Sequence, residues 1–428
     1  MSASDAHSVD VVARAAAAIW RIESAKLIAV LARLLRSVDL AEELAQDAFV
    51  EALESWRKSG IPDNPGGWLM TAGRHRALDV LRHTRRAERK HEQIEREGQG
   101  SIAADFDEIS DDVIGDDLLR LMFVACHPVL SQEARVALTL RLFGGLTTSE
   151  IGRAFLVPEA TVAQRITRAK RILAEKDIPY ELPQASDLHA RLESVLEVIY
   201  LVFNEGYLAS AGDDWMRPAL CEDALRLGRI LAQLVPTESE VHALLALMEI
   251  QASRARARIG PDGQAILLLD QDRSKWDTLL VRRGLAGLTR AESLVQRGAG
   301  PYLIQAAIAG CHARAREARE TDWPRIAALY AALMHVAPSP VVELNRAVAA
   351  GMAFGPAVGL AIVDPLFDDP DLRQYPFLPS VRADLLARLG RFAEAKAAVE
   401  QAAALTRNAR ERTLFLERAA EYGRIDAR

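Results

Sequence analysis

The stretch LTTSEIGRAFLVPEATVAQRITRAKRIL, Leu146 to Leu173, decides how the rest of the chain is read. Thr147 or Thr148 can cap a first helix, and Glu150 sits in its first turn, where an acid favours the helix dipole. Ile151, Ala154 and Phe155 give that helix one apolar face. The residues LVP at 156–158 form a turn, and Pro158 suits a helix start, where no backbone donor is needed. In the second helix Val162, Ile166, Ala169 and Leu173 face inward, while Thr161, Gln164, Arg165 and Arg168 point outward. Small Ala154 is expected to permit the close crossing of the two helices. An ordinary helical hairpin explains the apolar spacing equally well. It does not explain the amide and guanidinium groups on the second helix, which suit base edges and phosphates in the major groove.

Upstream, Leu118, Leu119, Leu121, Met122 and Phe123 form one apolar set, and Ala134, Ala137, Leu138, Leu140 and Leu142 the next. A four-helix unit over 116–175 is predicted. Charge alternates ahead of it. Residues 74–91 (RHRALDVLRHTRRAERKH) hold seven Arg or Lys against two acids, and residues 102–117 (IAADFDEISDDVIGDD) hold seven acids and no base. Two basic surfaces joined by an acidic tether suggest two nucleic-acid-binding modules. The formal net charge of −6 argues against a protein that coats nucleic acid with its whole surface.

Earlier still, residues 39–60 (DLAEELAQDAFVEALESWRKSG) read as an amphipathic helix. Leu40, Leu44, Ala48, Ala52 and Trp56 lie on one side, and Glu42, Glu43, Asp47, Glu51 and Glu54 on the other. A Pro/Gly loop then leads into a basic helix that contains Trp68, read as core.

These motifs in this order, D-x-A-E-E-x-x-Q-D-x-F, P-x-x-W-L, R-x-R-A-L-D-x-L-R and L-T-x-x-E-I-G…P-x-x-T-V-x-x-R-x-x-R-A, resemble bacterial sigma factors of the extracytoplasmic-function (ECF) type, over residues 10–175. The resemblance implies that Asp39, Glu42, Glu43, Gln46 and Asp47 bind the core RNA polymerase. It also implies the β′ clamp and the β flap as the parts of the polymerase that are contacted. Arg74, His75, Arg76, Arg82, Arg85 and Arg86 would meet promoter DNA at the −10 element, with His75 standing where the family usually has Asn. Thr161, Gln164, Arg165, Arg168, Lys170 and Arg171 would meet the −35 element. The implied domains are region 2 at 1–100, an acidic linker at 101–115, region 4 at 116–178 and an extension at 179–428.

The extension is expected to be helical throughout, in keeping with a chain rich in Ala, Leu, Arg and Glu, so the whole protein is expected to be all-α. Residues 190–209 are apolar on one side. Residues 222–258 read as two helices broken at Pro236. Residues 381–408 fit a tetratricopeptide (TPR) repeat, with Ala383, Gly390, Phe392, Ala395, Val399 and Ala402 at packing positions. Residues 341–364 are a looser copy, with Gly351 taken as the counterpart of Gly390. Such an array binds a protein or peptide ligand, or else closes as a helical domain. A sigma factor with such an extension resembles the group associated with DGPF (YCII-like) proteins, which implies control by the attached domain. The segment 260–277 interrupts the helices. Its Asp270, Asp272 and Asp277 lack the Gly and Glu of a calcium loop, and Arg273 and Trp276 are expected to dock it onto the N-terminal modules.

Cys126, Cys221 and Cys311 form no metal or disulfide pattern and are read as buried thiols. No catalytic motif is present, so neither an enzyme nor a cofactor is expected. There is no signal peptide and no run of about eighteen apolar residues, which predicts a cytoplasmic protein. The runner-up reading is a one-component DNA-binding regulator with a helical-repeat sensor.

Overall fold

The computed structural model describes residues 3–91, 111–155, 157–207, 216–260, 266–296, 298–406 and 408–426. Among them it is all-α, without a β-strand. The chain divides into two compact units, Met1–Leu201 and Val202–Arg428.

The first unit is built on α1 (Ala3–Leu35), whose Leu27, Ile28, Val30 and Leu31 are buried. Packed on it are α2 (Val38–Ser59), α3 (Pro65–His91), α4 (Asp111–Ala125) and α5 (Gln132–Leu142). Ser37 caps α2 by accepting from the Leu40 N–H at 3.2 Å. The apolar stripe of α2 ends in Trp56, which is 1% exposed and meets Trp68 edge to face at 5.7 Å. Trp68 is thus partly buried against the core, as its sequence context suggested. Asp117, fully buried on α4, is held by Arg33 at 2.9 Å and Arg120 at 2.8 Å. The helix-turn-helix follows as α6 (Thr148–Phe155) and α7 (Glu159–Glu175), and α8 (Ala185–Tyr207) begins in this unit. Ser194 of α8 donates to the Cys126 carbonyl at 2.6 Å, and Arg135 of α5 pairs with Glu197 at 3.0 Å. The start of α8 is therefore fastened to the four-helix segment before it. Residues 101–110 of the expected acidic linker lie outside the described residues, and Asp111 already opens α4.

The second unit contains α9 (Pro218–Leu234), α10 (Ser239–Ala252), α11 (Thr278–Ser293), α12 (Pro301–Arg314), α13 (Trp323–Val336), α14 (Pro340–Phe354), α15 (Pro356–Val363), α16 (Phe377–Arg388), α17 (Phe392–Leu405) and α18 (Ala409–Asp426). Consecutive helices of this unit pack against one another, α10 and α11 across the long connection 253–277. Ala383, Ala395, Val399 and Ala402 are buried in one cluster, as their spacing predicted. The looser copy is corrected in register. Gly351 lies inside α14, where its Cα comes close to Gly359, and the turn falls at Gly355 with φ +108°. Gly355 and Gly390 (φ +77°) are the turn glycines of successive helix pairs, and both adopt the left-handed backbone that glycine tolerates. The three cysteines are buried and unpaired.

The segment after α10 departs from expectation. Arg273 donates to the carbonyls of His312 and Ala315, each at 2.6 Å, and its guanidinium lies 5.0 Å from the Trp276 ring centre. Trp276 is 6% exposed. Both residues make these contacts inside the second unit, because the carbonyls left open at the end of α12 need a donor. Asp272 and Asp277 are spent as turn and helix caps, Asp277 accepting from Leu279 N at 2.9 Å.

Candidate nucleic-acid interface

The helix-turn-helix is fixed by local chemistry. Thr147 and Glu150 form a reciprocal capping box. The Glu150 carboxylate accepts from Thr147 N at 2.8 Å, and the Thr147 hydroxyl accepts from Glu150 N at 3.1 Å. Burial pushes the Glu150 carboxyl up, but the Thr147 bonds and the Arg21 guanidinium, at 2.9 Å, outweigh it and hold the carboxyl below its ordinary range. The Thr148 hydroxyl donates to Glu159 at 2.8 Å and ties α6 to α7. Close approach in the turn is made at Gly152, not at Ala154. A Cβ at Gly152 would lie 2.8 Å from the Val157 carbonyl oxygen, whereas Ala154 is only partly buried.

On α7, Val162, Ile166, Ala169 and Leu173 are buried as expected. Gln164, Arg168 and Arg171 are exposed, and Thr161 and Arg165 are half-buried beside them. Thr161, Gln164, Arg165 and Arg168 follow the i, i+3, i+4, i+7 spacing of one helix face. Lys170 does not join that face. Its Nζ sits 2.7 Å from Asp39 and 2.8 Å from Glu42 of α2. Burial draws its pKa down, but the two carboxylates outweigh it and raise the pKa, so the ammonium stays charged.

The acidic residues of α2 are accordingly split. Glu42 is 4% exposed, and Oε1 accepts from Arg141 Nε and Gln46 Nε2, both at 2.6 Å. Arg141 also donates to the Leu146 carbonyl at 3.2 Å. Asp39 is bound to Lys170 yet largely exposed, and Glu43 and Asp47 are exposed. Placing Glu42 with the outer acids is thus corrected: α5 and α7 cover that flank of α2.

On α3, Arg76 reaches back to Glu51 at 3.0 Å and Asp47 at 3.7 Å. Arg74 is half-buried, and burial together with the neighbouring Arg33 lowers its pKa. His75 is exposed, and Arg82 pairs with Asp79 at 3.3 Å. Arg85 and Arg86 belong to α3, but their side chains lie outside the described residues. The structure therefore gathers Asp39, Glu42, Gln46 and Lys170 in one cluster and Asp47 and Arg76 in a second. Arg141 was missed in the sequence, although an Arg set between buried Leu140 and Leu142 was a signal.

A capped helix-turn-helix with an exposed polar and basic face is a shape that suits the major groove of duplex DNA. Residues 20–87 match sigma-70 region 2 and residues 120–173 match sigma-70 region 4. Residues 191–292 match a family of unknown function, DUF6596. An uncharacterized protein of Rhizobium meliloti is 44% identical over 382 residues, covering 89% of each chain. The ECF RNA polymerase sigma factor SigK of Mycobacterium ulcerans is 30% identical over 151 residues, covering 34% of this chain and 76% of that protein. SigK of Mycobacterium tuberculosis is 30% identical over 146 residues, 33% of this chain and 74% of its own. The chain belongs to the ECF sigma factors of the sigma-70 family and carries a helical C-terminal extension. Among the described residues, no helix is long and apolar enough to cross a membrane.

Proposed function

We propose that this sigma factor docks on the β′ clamp of RNA polymerase through the acidic face of α2, with Asp39, Glu42, Glu43, Gln46 and Asp47 as the contact set. Region 2, within residues 1–100, then melts the −10 element with the basic face of α3. Region 4, within 116–178, lies against the β flap and reads the −35 element with Thr161, Gln164, Arg165, Arg168 and Arg171. The work is binding and strand separation in the cytoplasm, without catalysis by this chain.

The observation that carries the reading is the shared cluster at Glu42. Its carboxylate is ion-paired with Arg141 and Lys170 of the region-4 segment at 2.6 and 2.8 Å. A basic clamp surface offers the same chemistry, so docking exchanges internal partners for polymerase partners. That makes the arrangement a closed state, with opening coupled to polymerase binding. The C-terminal extension, a TPR-like stack suited to a protein or peptide ligand, sets the balance between closed and open.

The test is run-off transcription with purified core polymerase on the promoter upstream of the protein's own gene. A discrete start that disappears with Glu43→Arg and Asp47→Arg supports the reading. Duplex binding that needs no polymerase, with no transcript on any candidate promoter, points instead to a one-component regulator. A chain ending near Leu201 then tests the extension, because α8 is fastened to α5 up to Glu197. Unchanged promoter output and unchanged response to signal in that truncation would remove the regulatory part.

A further inference from the structure

The second unit holds a half-open cavity of about 320 Å³, near the lower end of the usual range for small-molecule sites. Its walls come from the ends of α8 and α10, the segment 266–271, and helices α16 and α18. Most of the lining is apolar, with Met216, Leu267, Phe377, Leu414 and Phe415 the bulkiest contributors.

The polar part of the lining is unbalanced. Arg258 stacks on Tyr207, its guanidinium carbon 3.8 Å from the ring centre, and it donates to the Tyr207 carbonyl. Arg254 lies 5.8 Å from the Tyr207 ring centre and 5.9 Å from that of Trp276. Among the described residues neither guanidinium has a carboxylate within ion-pair distance, and Arg254 Nε is buried without a partner. The two cations also repel each other, and burial disfavours the charge of Arg258 further. The other lining guanidinium, Arg418, is already paired with Asp384 at 3.3 Å. Gln271 donates to the Ile266 carbonyl at 3.1 Å, while its own Oε1 is left without a partner. Aromatic stacking holds the two arginines in place but does not neutralise them, and a half-buried pair of like charges is costly until an anion arrives.

We infer that this cavity binds a small organic monocarboxylate, its head between Arg254 and Arg258 and its apolar body against Phe377, Leu414 and Phe415. The buried Glu411 on the lining, whose carboxylate accepts from the Thr406 hydroxyl at 2.6 Å, disfavours a dianion such as a phosphate ester. The mostly apolar walls disfavour a bare inorganic anion.

The test is titration calorimetry of the full chain with octanoate and with 4-phenylbutyrate, against octan-1-ol and inorganic phosphate. At least one of the two carboxylates is expected to bind with one-to-one stoichiometry. The alcohol and phosphate should each bind at least about tenfold more weakly. Arg254→Gln removes one cation, and Leu414→Trp fills the apolar end with both cations kept. Each should lower carboxylate affinity at least about tenfold with the circular dichroism of the chain unchanged. The pair of variants guards against one that fails to fold. Absence of binding by both carboxylates overturns the inference. So does alcohol or phosphate binding as tightly as the acid, or affinity that survives both substitutions. No polymerase is involved, so a negative result leaves the sigma-factor reading standing.

Discussion

Glu42 and Arg141 stand 99 positions apart, and the Arg141 Nε donates to the Glu42 carboxylate at 2.6 Å. Glu42 is 4% exposed, so its charge depends on Arg141 and on Lys170 for compensation. Removing one partner of a buried pair leaves the others uncompensated. Glu42→Gln is therefore expected to destabilise the first unit by about 3 kcal/mol in urea unfolding at neutral pH. Asp39 binds the same ammonium but is largely exposed, and Asp39→Asn should cost under about 1 kcal/mol. Equal losses from the two substitutions would contradict the burial argument.

The turn of the helix-turn-helix depends on the absence of a side chain at Gly152. A methyl group there would press on the Val157 carbonyl oxygen at 2.8 Å, and both are backbone-anchored, so neither yields cheaply. Gly152→Ala should cost about 1–3 kcal/mol and reduce duplex binding because α7 is displaced. Ala154→Gly, by contrast, should act mainly through helix propensity, at about 1 kcal/mol. Thermal melts of the two variants distinguish a packing contact from a propensity effect.

Much of this arrangement was legible beforehand because it is local. The four-residue spacing on α2 and α7, the Thr147 to Glu150 cap and the Pro236 break each depend on neighbours within a turn or two. What escaped was set by distant chain. Nothing around Glu42 announces that α5 and α7 will cover it, since its position is next to the apolar stripe and its neighbours Glu43 and Asp47 are exposed. The role of Gly351 was misplaced for a different reason. The Gly-Pro pair at 355–356 carried the turn signal, but Gly351 offered the nearer match to a repeat template. Arg273 was read as a docking residue because its true partners, two carbonyls near the end of α12, are backbone atoms invisible to any residue pattern.

Lys170 and Arg168 separate two functions that a single basic helix might otherwise share. Arg168 is exposed on the face with Gln164, whereas Lys170 points at α2. Arg168→Ala is expected to weaken binding to a −35 duplex and to narrow the gap between matched and mismatched sequences by about 1–3 kcal/mol. Lys170→Ala should leave that gap unchanged and instead lower the stability of the first unit. Fluorescence anisotropy at one fixed salt concentration reads the gap for both variants, and urea unfolding reads the stability. Loss of discrimination in the Lys170 variant would place that ammonium on DNA after all.

His312 makes the second unit sensitive to acid. Its ring is 8% exposed, lies 5.3 Å from Trp323 in an edge-on contact, and has no partner for Nδ1. Burial, with Arg254 and Arg273 adding to it, lowers its pKa from 6.5 to about 4. The unfolded chain therefore binds the proton more readily than the folded one between those two values. The contribution of neutral His312 to stability is complete above pH 6.5 and is lost as pH falls toward 4. The full span corresponds to at most about 3 kcal/mol. Urea midpoints of the full chain at several pH values should fall across this window, and His312→Phe should flatten the fall in the transition of the second unit. His127, also lowered to about 4 by burial and by Arg191, belongs to the first unit, and His127→Asn should leave that transition's slope intact. A slope that persists undiminished in the His312 variant would mean that the imidazole is already charged in the folded protein, and that one of its ring nitrogens has a partner in solution.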